Sequence, residues 1–207
     1  IENPVNQTTL TQRYTAESLR FIEENRDQPF FLYLPHSFPH VPLFVSSEFE
    51  NQSDAGLYGD VVETIDWSMG EILDKLKELE IDEHTMVIFT SDNGPWFEGS
   101  SGQFRNRKGS SWEGGLRVPF IARWPGVIPI GSHSSEAAMN IDILPTLLDF
   151  ADVPLPDERT IDGASIRGIL SKNEKTPHEK LYRFNNDRIA GVRSGNWKLV
   201  LESWYRG

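Results

Sequence analysis

TMVIFTSDNGPWFEGSSGQFRNRKGSSWEGGLRVP, residues 85–119, is the stretch from which the rest of the chain is read. It opens on Met86-Val87-Ile88-Phe89-Thr90, a short apolar run of β-branched and aromatic residues between turn formers, which predicts a buried strand. Asp92 and Asn93 follow at once, then Gly94 and Pro95. In open α/β sheets the loops at the carboxyl ends of strands form the ligand crevice, so two adjacent oxygen donors in that place point to a hard cation. A glycine-rich loop then carries Arg105, Arg107 and Lys108, and ends in Glu113-Gly114-Gly115 before a second apolar run. Oxygen donors followed by an anion-attracting loop are the layout of a metal-assisted site for a phosphate- or sulfate-like group. Taken singly, each piece has a plainer reading. Asp-Asn-Gly makes turns, and a basic loop is commonly just solvated.

The 207 residues are 38% hydrophobic and 25% charged, enough for a substantial core and far from the composition of a disordered tail. A net charge of −11 argues against broad attraction to nucleic acid or to anionic membrane, so an anionic substrate has to be drawn by the local basic loop. No stretch approaches the ~20 consecutive apolar residues of a transmembrane helix, and the N-terminus has no signal-peptide pattern. The first residue is Ile, and the expectation is a piece of a longer chain rather than a processed one. Without cysteine there is neither disulfide nor thiolate metal site. Asn6-Gln7-Thr8 and Asn51-Gln52-Ser53 match the glycosylation acceptor pattern.

Upstream of the central stretch, residues 8–25 predict a helix with Leu19 and Ile22 on one face. Phe30-Phe31-Leu32-Tyr33-Leu34 predicts a buried strand of a parallel sheet. It empties into Pro35-His36-Ser37-Phe38-Pro39-His40-Val41-Pro42, where three prolines forbid helix and hold two histidines at a strand end. Imidazole moves protons near neutral pH and, when charged, contacts anions. Residues 46–56 read as a surface loop. Val61, Val62, Ile65, Met69, Ile72, Leu73, Leu76 and Leu79 recur at spacings of three and four, the clearest amphipathic helix of the chain, over 58–79.

Downstream, residues 118–125 predict a strand with Pro119 near its start, residues 139–150 a short helix containing Pro145, and residues 166–170 one more short element. The polar stretch 171–180 is the expected boundary. Beyond it, residues 188–193 and 197–201 read as two strands joined at Ser194-Gly195-Asn196, a hairpin signal. There is no internal repeat.

SDNGP at 91–95, Lys108-Gly109, and WEGGLRVP at 112–119 together resemble the second half of the signature of the sulfatase family, the arylsulfatase A-like branch of the alkaline phosphatase superfamily. The resemblance implies an α/β fold: an alkaline-phosphatase-like, mostly parallel sheet flanked by helices, present in part, then the start of a small antiparallel C-terminal subdomain. Residues 1–175 would be the C-terminal part of the catalytic domain and 176–207 the incomplete subdomain. It further implies Ca²⁺ held by the Asp92 carboxylate and the Asn93 side-chain carbonyl, with Lys108 as a point charge on a sulfate oxygen. His40, in its PHVP setting, would contact the sulfate or the bridging oxygen and protonate the leaving alkoxide. His36 has no such match and is given a structural or pocket role. Arg105, Arg107 and Trp96 shape the pocket mouth, and Asp142 and Asp162-Gly163 have packing roles.

Sulfatases use as nucleophile a formylglycine made from Cys or Ser in a C/S-x-P-S-R motif, and a further pair of aspartates on the calcium. Neither is found here. There is no Cys, and Ser37-Phe38-Pro39-His40 lacks the Ser-Arg that should follow. Asp92 and Asn93 also supply only a few of the ~6–8 oxygens calcium takes. The expectation is a fragment of a calcium-dependent, formylglycine-type sulfatase acting on aryl or carbohydrate sulfate esters, inactive alone. A formylglycine-generating or other sulfatase-maturing enzyme acts on the parent, which is periplasmic, secreted or lysosomal. The alternatives are a phosphomonoesterase or phosphonate hydrolase of the same superfamily, and a non-catalytic truncated product.

Overall fold

Two helices, α1 (Leu10–Glu24) and α2 (Gly56–Glu78), pack against each other to form the first of two compact units, residues 1–85. The computed structural model describes residues 2–203. Ile1 and residues 204–207, the end of the expected C-terminal subdomain, lie outside the described residues. The buried stripe of α2 is Val61, Ile65, Ile72 and Leu76, with Met69 and Leu73 half-buried and Val62 exposed. The spacing of three and four thus places the face correctly and only overstates its width. On α1 the buried face is Thr11, Thr15, Ser18 and Ile22. Leu19, expected there, is only half-buried, because small hydroxyl residues let the two helices approach closely and satisfy themselves. Thr15 Oγ1 bonds the Thr11 carbonyl at 2.8 Å and Ser68 Oγ of α2 at 2.6 Å.

The start of α2 is fixed by a group the periodicity does not flag. The buried Asp60 carboxylate accepts N–H bonds from Asn51 at 3.0 Å, Gln52 at 2.9 Å and Ser53 at 2.8 Å, tying the preceding loop to the helix. The Ser53 contact does most to hold its carboxyl below the ordinary range, against the upward push of burial.

Phe30–Leu34 corrects the sequence reading. The segment forms no strand and has no ladder partner among the described residues, and its side chains alternate between half-buried and exposed. Phe30 packs edge-on against Phe21 of α1 with ring centres 5.9 Å apart, while Phe31 and Tyr33 are 72% and 75% exposed. One face is covered by a helix and the other is bare.

The second unit, residues 86–207, holds two sheets. Strand β1 (Val87–Thr90) pairs antiparallel with β2 (Phe120–Arg123), from Val87 opposite Arg123 to Thr90 opposite Phe120. The expected parallel arrangement does not occur among the described strands. A parallel neighbour requires a crossover, usually a helix on the sheet face, whereas the loop after β1 contains only α3 (Glu113–Leu116) and returns the chain beside the strand it left. Pro119 falls just outside β2, and its carbonyl accepts from Thr90 Oγ1 at 3.0 Å.

A 3-10 turn at Asn140–Asp142 leads into α4 (Ile143–Phe150), where Pro145 sits in the first turn, whose N–H groups have no helical partner in any case. Asp142 is fully buried. It accepts from the Met139 and Ala164 amides at 2.7 and 3.0 Å, and His178 Nε2 lies 2.9 Å from both of its oxygens. The packing role expected for Asp142 is therefore a knot between three segments. Helix α5 (Arg167–Lys172) follows, then β3 (Leu181–Asn185), β4 (Arg188–Ser194) and β5 (Trp197–Val200), an antiparallel sheet in chain order. The β4–β5 hairpin is the one predicted. β3 is not, since Arg183 breaks its apolar run.

Candidate functional site

Asp92 and Asn93 leave β1 as expected, and neither is held in a core: Asp92 is exposed and Asn93 half-buried. Asn140 Nδ2 donates to the Ser91 carbonyl at 2.9 Å, pinning the exit of the strand. The next residues are fixed by backbone. Gly94 N–H donates to the Gly115 carbonyl at 3.0 Å, and Lys108 N–H to the Pro95 carbonyl at 2.9 Å. Gly114 N–H closes the return on the Arg105 carbonyl at 2.9 Å. Two short loops, 91–95 and 105–116, are thereby knitted into one body that carries Asp92, Asn93 and Lys108.

Glycine is required at that seam. A Cβ at Gly94 would fall on the Gly114 carbonyl, and one at Gly114 on the Asn106 and Arg105 carbonyls, each inside the 3.0 Å that real Cβ atoms essentially never breach. The Asn-Gly and Glu-Gly-Gly of the sequence thus mark backbone in contact with backbone.

The basic residues of the loop divide by role. Arg107 donates to the Trp96 and Gly99 carbonyls at 2.8 and 2.6 Å, so its guanidinium holds loop 96–99 in shape. Arg105 lies 4.0 Å over the ring of Trp112. Lys108 is half-buried, with no ion-pair partner for its ammonium among the described residues. Arg107 is thus spent on carbonyls, whereas Lys108 and Arg105 have no ion-pair partner among the described residues.

In the first unit, His40 is exposed in the proline loop and its Nδ1 lies 2.7 Å from the Val41 carbonyl. A carbonyl only accepts, so Nδ1 carries hydrogen and Nε2 is the nitrogen left for a ligand. His36 is different. It is half-buried beside Tyr14, its Nδ1 finds no partner among the described residues, and burial pushes its pKa down by disfavouring the charged ring.

The group that sequence reasoning missed is Glu113. One oxygen meets Lys198 Nζ at 2.7 Å, and the other meets Arg193 Nη1 at 3.0 Å and Arg117 Nη1 at 3.7 Å. Burial pushes its carboxyl up, but the Lys198 hydrogen bond and the charges of Lys198, Arg193 and Arg183 outweigh that and hold it below the ordinary range. Burial also pulls Lys198 and Arg183 down. The one available signal was two cations flanking a predicted hairpin turn.

Two clefts among the described residues lie away from the predicted residues. A 210 Å³ hollow lies over Glu113, Arg193 and Lys198, and a 490 Å³ groove lies between α1 and residues 32–35. No three His, Asp or Glu among the described residues converge as a metal cluster, so Asp92 and Asn93 stand as a pair of hard oxygen donors. No helix among those residues is long and apolar enough to cross a membrane.

A family model described as Sulfatase matches residues 2–153. Human steryl-sulfatase is 41% identical over 204 residues, covering 93% of this chain and 35% of that protein. An arylsulfatase from Hemicentrotus pulcherrimus is 38% identical over 203 residues, covering 96% and 37%. Among solved structures, the PsFucS1 sulfatase from Pseudoalteromonas sp. superposes with a TM-score of 0.90 at 29% identity, covering 98% of this chain and 43% of that one. The chain thus spans little more than a third of the curated relatives it matches.

Proposed function

The chain belongs to the sulfatase family, with part of that family's alkaline-phosphatase-like α/β fold, and from that premise we propose that its parent hydrolyses sulfate esters, aryl or carbohydrate, with residues 91–108 forming half of the active site. Residues 1–175 then belong to the catalytic domain and 176–207 begin a C-terminal subdomain. The supporting observation is the knitted loop pair, in which the Gly94 and Lys108 backbone bonds fix two oxygen donors and a free ammonium to one rigid body.

Asp92 and Asn93 suit a hard cation by donor type, and they are too few to fill its shell, so they give part of a Ca²⁺ site that other residues of the parent complete. Bound calcium would supply positive charge against the sulfate oxygens. Lys108 offers a second, compact positive charge to another sulfate oxygen, strongest where charge develops on the way to the transition state. His40 presents Nε2. As imidazolium it donates to the bridging oxygen and leaves its proton on the departing alkoxide, while the Val41 carbonyl holds the ring through Nδ1. The nucleophile is a formylglycine outside these 207 residues, installed by a sulfatase-maturing enzyme on a secreted, periplasmic or lysosomal parent.

The test is the intact protein, assayed with calcium on a chromogenic aryl sulfate and on the matching aryl phosphate. Sulfate turnover far above phosphate turnover, abolished together with calcium stoichiometry in Asp92→Ala, is the expected result. A phosphate preference would make the parent a phosphomonoesterase of the same fold. Full calcium occupancy in Asp92→Ala would remove the ligand assignment.

A further inference from the structure

Arg193 and Lys198 are direct cross-strand partners in the β4–β5 hairpin. Like charges facing each other across a ladder destabilise it. Here both reach one carboxylate, Lys198 Nζ on one oxygen of Glu113 at 2.7 Å and Arg193 Nη1 on the other at 3.0 Å. Arg183, on the neighbouring strand β3, adds more positive charge to the cluster, and its buried Nε finds no acceptor among the described residues. The hairpin therefore requires a carboxylate at this place, and Glu113 supplies it.

The same residue opens α3, next to the seam of the candidate site. Gly114, the following residue, is bonded to the Arg105 carbonyl, and Gly115 holds the Gly94 amide, two residues beyond Asp92. These contacts leave no slack, since there is not room for a single Cβ at Gly94 or Gly114. A shift of Glu113 would therefore be passed to the Asp92–Asn93 loop rather than absorbed.

We propose that Glu113 is a positioning residue: it clamps the β4–β5 hairpin to the loop bearing Asp92, Asn93 and Lys108, so that the C-terminal sheet sets the geometry of the oxygen donors. The metal part of this inference rests on the calcium reading above, and the mechanical part does not.

The experiment uses the intact protein and two readouts, amide hydrogen exchange of peptides spanning 91–97 and calorimetric titration with Ca²⁺ alone. In Glu113→Gln, exchange at 91–97 should rise about tenfold while peptides of α1 keep their rates. Calcium should bind roughly 10–100-fold more weakly, the range found for residues that orient metal ligands. Glu113→Lys should behave likewise, and Lys198→Glu added to it should restore both readouts by returning a carboxylate to the cluster. Unchanged exchange at 91–97 in Glu113→Gln overturns the proposal. So does faster exchange across all peptides that the charge swap does not reverse, which would make Glu113 a general stabiliser. If the wild-type protein binds no calcium, the metal reading falls, and exchange at 91–97 still decides the clamp.

Discussion

The two histidines of the proline loop stand four residues apart and have opposite surroundings. His40 is exposed with its Nδ1 engaged, whereas His36 is half-buried with its pKa pushed down. On the proposed mechanism, His40→Ala in the intact protein should lower kcat by roughly 10²–10⁴, the loss expected when acid–base help is removed. His36→Ala should be much milder, and steady-state kinetics of the pair checks the order. Lys108→Ala should cost roughly 10²–10³ in kcat/KM through lost charge stabilisation, with the fold intact by circular dichroism. Glu113 titrates with a sign that can be stated in advance. Its folded pKa lies below the ordinary glutamate value, so its contribution to stability is complete above that ordinary value and is lost as pH falls through the folded one. Urea denaturation of Glu113→Gln should show a flatter acid limb than wild type between about pH 3 and 5. At neutral pH it should also show a loss of roughly 2–4 kcal/mol, because three cations lose their counter-charge.

At the scale of elements, the helices and the loop seam answer differently to the same substitution. Gly70 lies inside α2 with nothing near its missing Cβ, so Gly70→Ala should stabilise the protein by about 0.5–1 kcal/mol. Gly94→Ala should destabilise it by more than about 2 kcal/mol and release the Asp92 loop, because the new Cβ meets backbone that cannot turn aside. Chemical denaturation of the two variants, side by side, reads both signs. Periodicity is blind to this distinction: it recognises α2 from its apolar spacing, yet nothing in a glycine's sequence position says whether open space or a carbonyl lies opposite. The same blindness explains β3, whose apolar run is broken by Arg183, and the hydroxyl face of α1, where Thr11, Thr15 and Ser18 do work that hydrophobic patterning reserves for leucine.

For the whole molecule, the bare face of residues 30–34 is the main consequence. Phe31 and Tyr33 stand open beside backbone that has no ladder partner among the described residues, the combination that invites edge-to-edge association. Expressed alone, the 207 residues are expected to aggregate and, on the proposed mechanism with its nucleophile and further calcium ligands elsewhere, to hydrolyse neither sulfate nor phosphate esters. Light scattering and the paired ester assay check both, and calcium-dependent turnover comparable to the parent's would place the nucleophile within this chain. Three short motifs at fixed spacing sufficed to identify the family, and with it the candidate residues Asp92, Asn93, Lys108 and His40. The two long helices and the last hairpin are legible as well, because helical periodicity and turn chemistry are local and are written in consecutive residues. It took the folded chain to show that β1 pairs antiparallel with β2, that Arg107 is spent on carbonyls while Lys108 has no ion-pair partner among the described residues, and that Glu113 stands between Arg193 and Lys198. Each of those depends on which distant group arrives opposite, and a charge or a strand edge carries no mark in the sequence of the partner that will neutralise it.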